Sequence, residues 1–99
     1  MKLTFDPQKD TSNVTKHGVS LAMATGLDWD TLQCKQDTRR DYGELRQIGY
    51  ALIDDRLHCV VFVDRPADTP TERRIISLRK ANNREVATYA SQIPDAPQR

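Results

Sequence analysis

An apolar run at residues 57–63, LHCVVFV, limits the possible folds of this 99-residue chain. Side chains alternate between the two faces of a β-strand. The odd-numbered residues of the run would therefore point one way, and Val60 and Phe62 the other. A strand that is apolar on both faces belongs in the interior of a sheet. The run is predicted to be a central strand, with His58 as a hydrogen-bonded core residue.

The length of the chain fits one domain, because single hydrophobic cores are built from roughly 50 to 200 residues. Residues 1–93 are assigned to that domain, and the polar tail at residues 94–99 is predicted to be disordered. With 37% hydrophobic and 29% charged residues, the core should be small and could be supplemented by a partner.

Helix signals are found near both ends of the chain. Asp6 followed by Pro7 predicts a helix that runs to His17, where Gly18 can adopt the left-handed closing conformation. Ser20 is expected to cap a short second helix. The last helix is predicted to begin near residue 83, because Asn82 and Glu85 have capping-box spacing, to bury Val86, Tyr89 and Ile93, and to stop at Pro94.

Strand signals fill the remaining sequence. Alternating or β-branched segments predict a short first strand near residues 3–5 and further strands at residues 28–35, 44–53 and 73–79. Short turns separate the last three strands of the chain. The fold class is therefore α+β, with an antiparallel sheet covered on one face by two N-terminal helices and a C-terminal helix.

Positive charge is concentrated in residues 65–85, although the net charge of the whole chain is only +1. Strict alternation along residues 73–80 would place Arg73, Ser77 and Arg79 on one face, and Arg74 and Lys80 on the other. The first face could bind an anion, and Arg74 would be structural. An edge strand with merely solubilising arginines explains the pattern equally well.

Neither a metal site nor a membrane location is expected. Cys34 and Cys59 lack metal-binding spacing and should be free thiols, and with His17 and His58 they make a weak zinc set. The first residues lack the apolar core of a signal peptide, and no apolar run approaches about 18 residues. The protein is expected in the reducing cytoplasm.

Several separated motifs resemble one known family, the BrnT toxins of type II toxin–antitoxin systems. The most specific are the runs KHGV at residues 16–19 and RIISLRKA at residues 74–81. The other matching positions are Phe5, Asp6, Lys9, Asn13, the run DYGELR at residues 41–46, Gly49, residues 60–62, Arg65, Glu85 and Tyr89. The resemblance covers nearly the whole chain.

This resemblance implies a RelE-like domain that cleaves RNA and stops translation without a cofactor. It also implies neutralisation by a BrnA-like antitoxin with a ribbon-helix-helix DNA-binding domain, in a hetero-oligomer that contacts DNA only through the antitoxin. An acidic or extended antitoxin segment would fit the basic surface of the toxin.

Metal-free RNA cleavage needs a base for the 2′-hydroxyl proton, an acid for the leaving oxygen and cations for the transition state. His17 has an ordinary pKa of about 6.5, and the nearby Lys16 would lower that pKa and keep the imidazole neutral. Glu44 is the alternative base, and Arg79 the leading transition-state cation. The further cations expected to bind RNA are Lys9, Arg46, Arg65, Arg73 and Lys80.

Each of these assignments has a structural alternative. His17 could cap the first helix, Glu44 could pair with Arg46 or Arg65, and the stripe of Lys9, Asn13 and Lys16 could be a solvated helix face. The whole protein could be a non-catalytic binding module, or a decayed toxin that acts only as co-repressor with its antitoxin.

Overall fold

The computed structural model describes residues 1–92. Five strands form one sheet: β1 (Lys2–Thr4), β2 (Gln33–Gln36), β3 (Arg46–Ile53), β4 (Arg56–Arg65) and β5 (Glu72–Lys80). The α-helices are α1 (Pro7–His17) and α2 (Asn83–Gln92), and two 3₁₀ helices cover Leu21–Gly26 and Trp29–Thr31. The tail predicted at residues 94–99, and the predicted roles of Ile93 and Pro94, lie outside the described residues.

The sheet has the strand order β1-β5-β4-β3-β2, so the apolar run lies in the central strand β4, as predicted. Strand β2 pairs with β3, β3 with β4, and β4 with β5, and all three pairs are antiparallel. The short β1 joins the free side of β5 in parallel, so the complete sheet is mixed. The α+β fold class predicted from the sequence is confirmed.

Helices cover both faces of the sheet, so the expectation of helices on one face is wrong. On the α1 face, β4 and β5 residues such as Phe62 and Leu78 form a core with Leu21 and Ala24 of the first 3₁₀ helix. On the α2 face, Leu57 packs with residues of the last helix and its entry. Because β4 is apolar on both sides, each face needs its own cover.

A bulge in β5 interrupts the alternation of side chains between the two faces of the sheet. Residues after the bulge lie on the face opposite to the one that strict alternation from Arg73 predicts. Ser77 is opposite Val61, but Ile75 is opposite Phe62, so one extra residue of β5 lies between these pairs. Ile75 and Leu78 consequently share the α1-face core although they are three residues apart.

The arginines of β5 are redistributed by this bulge. Arg73 is opposite Asp64 and lies on the α1 face, whereas Arg74 and Arg79 are opposite Val63 and Cys59 and lie on the α2 face. The prediction that Arg73, Ser77 and Arg79 share a face is therefore wrong, because strict alternation does not continue through a bulge.

The predicted start and end of α1 and the predicted start of α2 are confirmed. The Asp6 side chain accepts a hydrogen bond from the Gln8 amide at 2.9 Å, and Gly18 closes α1 with φ of 72°. At α2, Asn82 and Glu85 exchange side-chain to backbone hydrogen bonds of 2.8 and 2.9 Å. These caps satisfy amides that have no partner within the helix.

The segment between the N-terminal helices and β3 departs from the sequence prediction. The second helix after Ser20 is a 3₁₀ helix, and only residues 33–36 of this segment form a strand. Residues 29–31 turn instead, which brings the Trp29 ring edge-on to Phe62 with centroids 5.6 Å apart. Burial of the indole thus outweighs the weak strand pattern. The strand predicted from residue 44 begins at Arg46.

Candidate functional site

Glu44 lies immediately before β3 and is paired with Arg65 at the end of β4. The Arg65 guanidinium donates from Nε to Oε1 at 3.0 Å and from Nη2 to Oε2 at 2.7 Å. The exposed fractions of the two side chains are 41% for Arg65 and 38% for Glu44. The pairing considered as an alternative from the sequence is therefore present, and both groups remain accessible to a ligand.

Two further guanidinium groups lie on the same face of the sheet. Arg46 of β3 and Arg74 of β5 are both opposite Val63 of the central strand, so the three residues form one row across the sheet. At a strand spacing of about 4.8 Å, the Cα atoms of the two arginines are roughly 10 Å apart. We refer to Glu44, Arg46, Arg65 and Arg74 as the Glu44 cluster.

The arginines of the cluster act electrostatically on its carboxylate. They lower the pKa of Glu44, mainly through the hydrogen bonds from Arg65 and with smaller contributions from Arg46 and Arg74. Glu44 is therefore ionised at neutral pH. Two carboxylates, Glu44 and Glu72, face the three guanidinium groups, and Glu72 lies 3.8 Å from Arg74. One positive charge is left for a bound anion.

The loop before β3 fixes the position of Arg46. Asp37 is buried and accepts hydrogen bonds from the Arg39 guanidinium at 2.8 and 2.7 Å and from the Tyr42 hydroxyl at 3.2 Å. The Tyr42 ring in turn lies 3.8 Å from the Arg46 guanidinium carbon. Nε of Arg46 is buried and donates to no acceptor among residues 1–92. The ring contact and the burial of Nε therefore fix the orientation of the Arg46 guanidinium.

Arg79 is engaged by α2. Its Nη1 and Nη2 atoms donate to the two carboxylate oxygens of Glu85 at 2.8 and 2.9 Å. The Tyr50 hydroxyl also donates to Glu85, at 2.8 Å. The Arg79 guanidinium is the main reason that the pKa of Glu85 is lowered to about 2. Arg79 therefore joins the last helix to the sheet.

His17 lies beside Arg79 and away from the Glu44 cluster. Partial burial lowers the pKa of His17, and Lys16 and Arg79 lower it further, which favours the neutral imidazole. Arg79 is opposite Cys59, six residues before Arg65 on β4. At about 3.3 Å per residue, this places the two groups roughly 20 Å apart. The predicted catalytic residues thus form two separate groups.

Arg73 occupies a structural position on the α1 face. Its guanidinium donates to both carboxylate oxygens of Asp64 at 2.8 and 3.0 Å. The same group lies 4.6 Å from the Trp29 ring centroid and 4.5 Å from that of Phe62. The remaining predicted RNA-binding cations, Lys9 and Lys80, are exposed on α1 and at the end of β5.

Arg74 is the residue that the sequence argument missed. It was assigned a structural role because strict alternation placed Arg74 and Arg79 on different faces of the sheet. The bulge puts both side chains on the α2 face. Its guanidinium forms an ion pair with Glu72 at 3.8 Å, and 30% of the side chain is exposed. One signal of the bulge was present in the sequence, the spacing of Ile75 and Leu78. Two apolar residues three positions apart lie on the same face of a strand only if a bulge lies between them.

Residues 1–92 contain neither a metal cluster nor a membrane-spanning helix. No group of three or more His, Cys, Asp or Glu side chains is arranged to hold a metal ion in this part of the chain. No helix among these residues is long and apolar enough to cross a membrane. Cys34 is exposed, Cys59 is buried, and both are free thiols.

Comparison with known proteins identifies the class. Residues 5–85 match a family described as "Ribonuclease toxin, BrnT, of type II toxin-antitoxin system". The chain is thus a ribonuclease toxin of a type II toxin–antitoxin system. It belongs to the BrnT family, as its sequence motifs indicated, and a type II system implies an antitoxin partner. A search of curated proteins finds no match.

Proposed function

We propose that this toxin is a metal-independent endoribonuclease that inhibits translation, with the Glu44 cluster as its active site. The observation that carries the proposal is the bidentate contact between Glu44 and Arg65 on an open sheet face, next to Arg46 and Arg74. A carboxylate can accept a proton, and guanidinium groups bind phosphate through paired hydrogen bonds.

In this mechanism Glu44 removes the proton of a ribose 2′-hydroxyl, and the 2′ oxygen attacks the adjacent phosphorus. The bond from phosphorus to the 5′ oxygen breaks, and that oxygen takes a proton from water. The hydroxide that remains takes the proton from Glu44 and restores the carboxylate. The products are a 2′,3′-cyclic phosphate and a 5′-hydroxyl. Arg46 and Arg74 stabilise the charge that develops on the phosphoryl oxygens.

Arg65 links substrate binding to the strength of the base. Its hydrogen bonds are the main cause of the lowered pKa of Glu44, and a carboxylate with a low pKa is a weak base. When a phosphate attracts the Arg65 guanidinium, Glu44 loses those hydrogen bonds and gains a nearby negative charge. Both changes raise the pKa of Glu44 at the moment when it must accept a proton.

His17, Lys16 and Arg79 remain a second predicted group. Because they lie roughly 20 Å from Arg65 along the sheet, they would contact the same RNA at a different point. Lys9 and Lys80 are proposed to add electrostatic attraction for the RNA backbone.

The proposed partner is a BrnA-like antitoxin with a ribbon-helix-helix domain, bound in a hetero-oligomer that contacts DNA through the antitoxin. An acidic antitoxin segment over the Glu44 cluster would compete with RNA for the same guanidinium groups. The proposed location is the cytoplasm, where the RNA substrate and the antitoxin would both be found.

The test is cleavage of single-stranded RNA by purified protein in the presence of EDTA. The wild type is expected to cut, and Glu44→Gln should cut about 10²-fold to 10⁴-fold more slowly, the usual contribution of a general base. Asp41→Asn is the matched control, because the amide oxygen can still accept the Gly43 hydrogen bond seen at 3.0 Å. A wild type that binds RNA in EDTA without cutting it would contradict the proposal.

A further inference from the structure

A groove lies on the α2 face between the last helix and the outer strands β2 and β3. Its volume is about 360 Å³, and its lining includes Gln33, Lys35, Tyr50, Arg84, Tyr89 and Gln92. Pockets that bind small organic groups typically measure about 300 to 1,000 Å³. The groove is therefore large enough for one planar group with its substituents, and too small for a folded partner.

Two cations of the groove are free to bind a ligand. Lys35 on β2 and Arg84 on α2 are exposed, and neither forms an ion pair with any of residues 1–92. By contrast, Arg65, Arg73 and Arg79 are each held by a carboxylate. Within residues 1–92, each of the two walls of the groove therefore contributes one positive charge that no carboxylate neutralises.

Two tyrosine rings are fixed in the wall of the groove. The Tyr50 hydroxyl donates to Glu85 at 2.8 Å, and the Tyr89 hydroxyl donates to the Thr31 carbonyl at 3.3 Å. Tyr89 is buried, with 5% of its surface exposed, whereas Tyr50 is half-buried. The ring of Tyr50 is therefore the aromatic surface that faces a ligand. Rigid aromatic surface favours stacking of a planar base, and the amides of Gln33 and Gln92 can both donate to and accept from a base edge.

The groove and the Glu44 cluster lie on the same side of the sheet. Tyr50 and Arg46 are four residues apart on β3, so their side chains point to the same face. The distance between them along the strand is roughly 13 Å. A ligand chain bound at the cluster can therefore continue into the groove without passing around an edge of the sheet.

We propose that this groove binds one base of single-stranded RNA and its adjoining phosphate, outside the bond that is cut. This inference rests on the proposed ribonuclease function. The base lies against the Tyr50 ring, and Lys35 and Arg84 bind the phosphate. Such a subsite would give the enzyme a preference for one base at a fixed distance from the cleavage point.

The first test measures binding of a 2′-O-methyl RNA oligonucleotide, which cannot be cut. The double variant Lys35→Ala, Arg84→Ala should bind it at least tenfold more weakly. The slope of log K against log[salt] should fall by about 0.7 in magnitude, because one phosphate is no longer neutralised. A dinucleotide substrate, too short to reach the groove, should be cut at the wild-type rate. The control Lys2→Ala, Arg56→Ala removes two exposed cations elsewhere and should bind normally.

The second test locates the RNA directly. Cys34 also lines the groove, so the test uses a Cys34→Ser, Gln92→Cys variant, in which the introduced thiol is the exposed one and the native Cys59 is buried. The oligonucleotide should slow alkylation of the introduced thiol several-fold. A free antitoxin, added instead of RNA, serves as the comparison.

The outcomes separate the two proposals. Unchanged binding by the double variant and no protection at position 92, in a protein that cleaves RNA, would overturn the groove assignment alone. Protection by the antitoxin but not by RNA would also overturn it. Absence of cleavage with groove-dependent RNA binding would overturn the ribonuclease mechanism and support the groove.

Discussion

The side-chain amide of Asn13 is hydrogen-bonded to both backbone groups of Leu78. Its Nδ2 donates to the Leu78 carbonyl at 2.7 Å, and its Oδ1 accepts from the Leu78 amide at 3.3 Å. Strand β1 pairs only with residues 72–74, so β5 has a free edge at this point. One amide on α1 therefore replaces a neighbouring strand, and it also donates to the Val19 carbonyl at 2.7 Å. Asn13 is not part of a solvated helix face.

Replacement of Asn13 is expected to destabilise the protein. Asn13→Ala leaves the buried Leu78 and Val19 groups without partners and should lower the free energy of unfolding by about 2 to 4 kcal/mol. Asn13→Asp should be at least as damaging, because a carboxylate oxygen would face two carbonyl oxygens. Urea unfolding measures both variants, with the exposed Ser12→Ala on the same helix as control. An Asn13→Ala variant as stable as the control would contradict this role.

Local signals in the sequence predicted local structure well. The caps at Asp6, Ser20 and Asn82, and the central position of β4, each depend on neighbouring residues alone. The Asn13 contact could not be predicted in this way, because its partner Leu78 is 65 residues away in the chain.

The predicted grouping of the β5 arginines failed at one residue of that strand. The extra residue at the bulge puts Arg73 and Arg79 on opposite faces, and Arg74 on the same face as Arg79. A period-two pattern has no means of showing such an insertion, and one insertion changes the face of every later side chain. The residue types of the site were therefore predictable, whereas their grouping required the strand register.

Gly49 lies where the backbone of β2 approaches β3 closely. A Cβ atom there would be 2.7 Å from Cβ of Cys34, 2.8 Å from Cδ1 of Leu32 and 2.9 Å from the Gln33 carbonyl oxygen. Gly49→Ala is therefore expected to lower the free energy of unfolding by about 1 to 3 kcal/mol.

Gly26→Ala is the matched control for this substitution. Its Cβ would meet Ile53 at 3.6 Å, an ordinary contact, so its effect should stay within about 0.5 kcal/mol. Equal effects of the two alanines in urea unfolding would show that the close approach at Gly49 is relieved at little cost.

The ion pair of Arg79 with Glu85 predicts an acid-dependent stability. The folded-state pKa of Glu85 is about 2, below its ordinary value of 4.5, so the contribution is present above pH 4.5 and is lost as pH falls toward 2. Because Arg79 is 34% exposed, the expected contribution is about 1 to 2 kcal/mol, less than the pKa difference alone would give.

Glu85→Gln should therefore be less stable than the wild type at pH 7 and should lose less stability between pH 4.5 and 2. Thermal unfolding across this range measures both effects. A double-mutant cycle with Arg79→Met should recover the same coupling energy at pH 7. Parallel pH profiles for wild type and Glu85→Gln would exclude this pair as a source of acid sensitivity.

Arg73 and Arg74 are adjacent in sequence but lie on opposite faces, so they form a matched pair of substitutions. Arg74→Ala removes a cation from the Glu44 cluster and is expected to slow RNA cleavage more than tenfold, which corresponds to about 1.4 kcal/mol in the activation free energy. Its stability should be close to that of the wild type.

Arg73→Ala should show the opposite behaviour. It leaves Asp64 without its partner and removes the contacts to Trp29 and Phe62, so the free energy of unfolding should fall by about 2 kcal/mol. Cleavage per folded molecule should stay near the wild-type rate. Single-turnover cleavage and urea unfolding of both variants provide the comparison. If Arg73→Ala slowed cleavage while Arg74→Ala did not, the active site would have to lie on the α1 face, because only Arg73 points there.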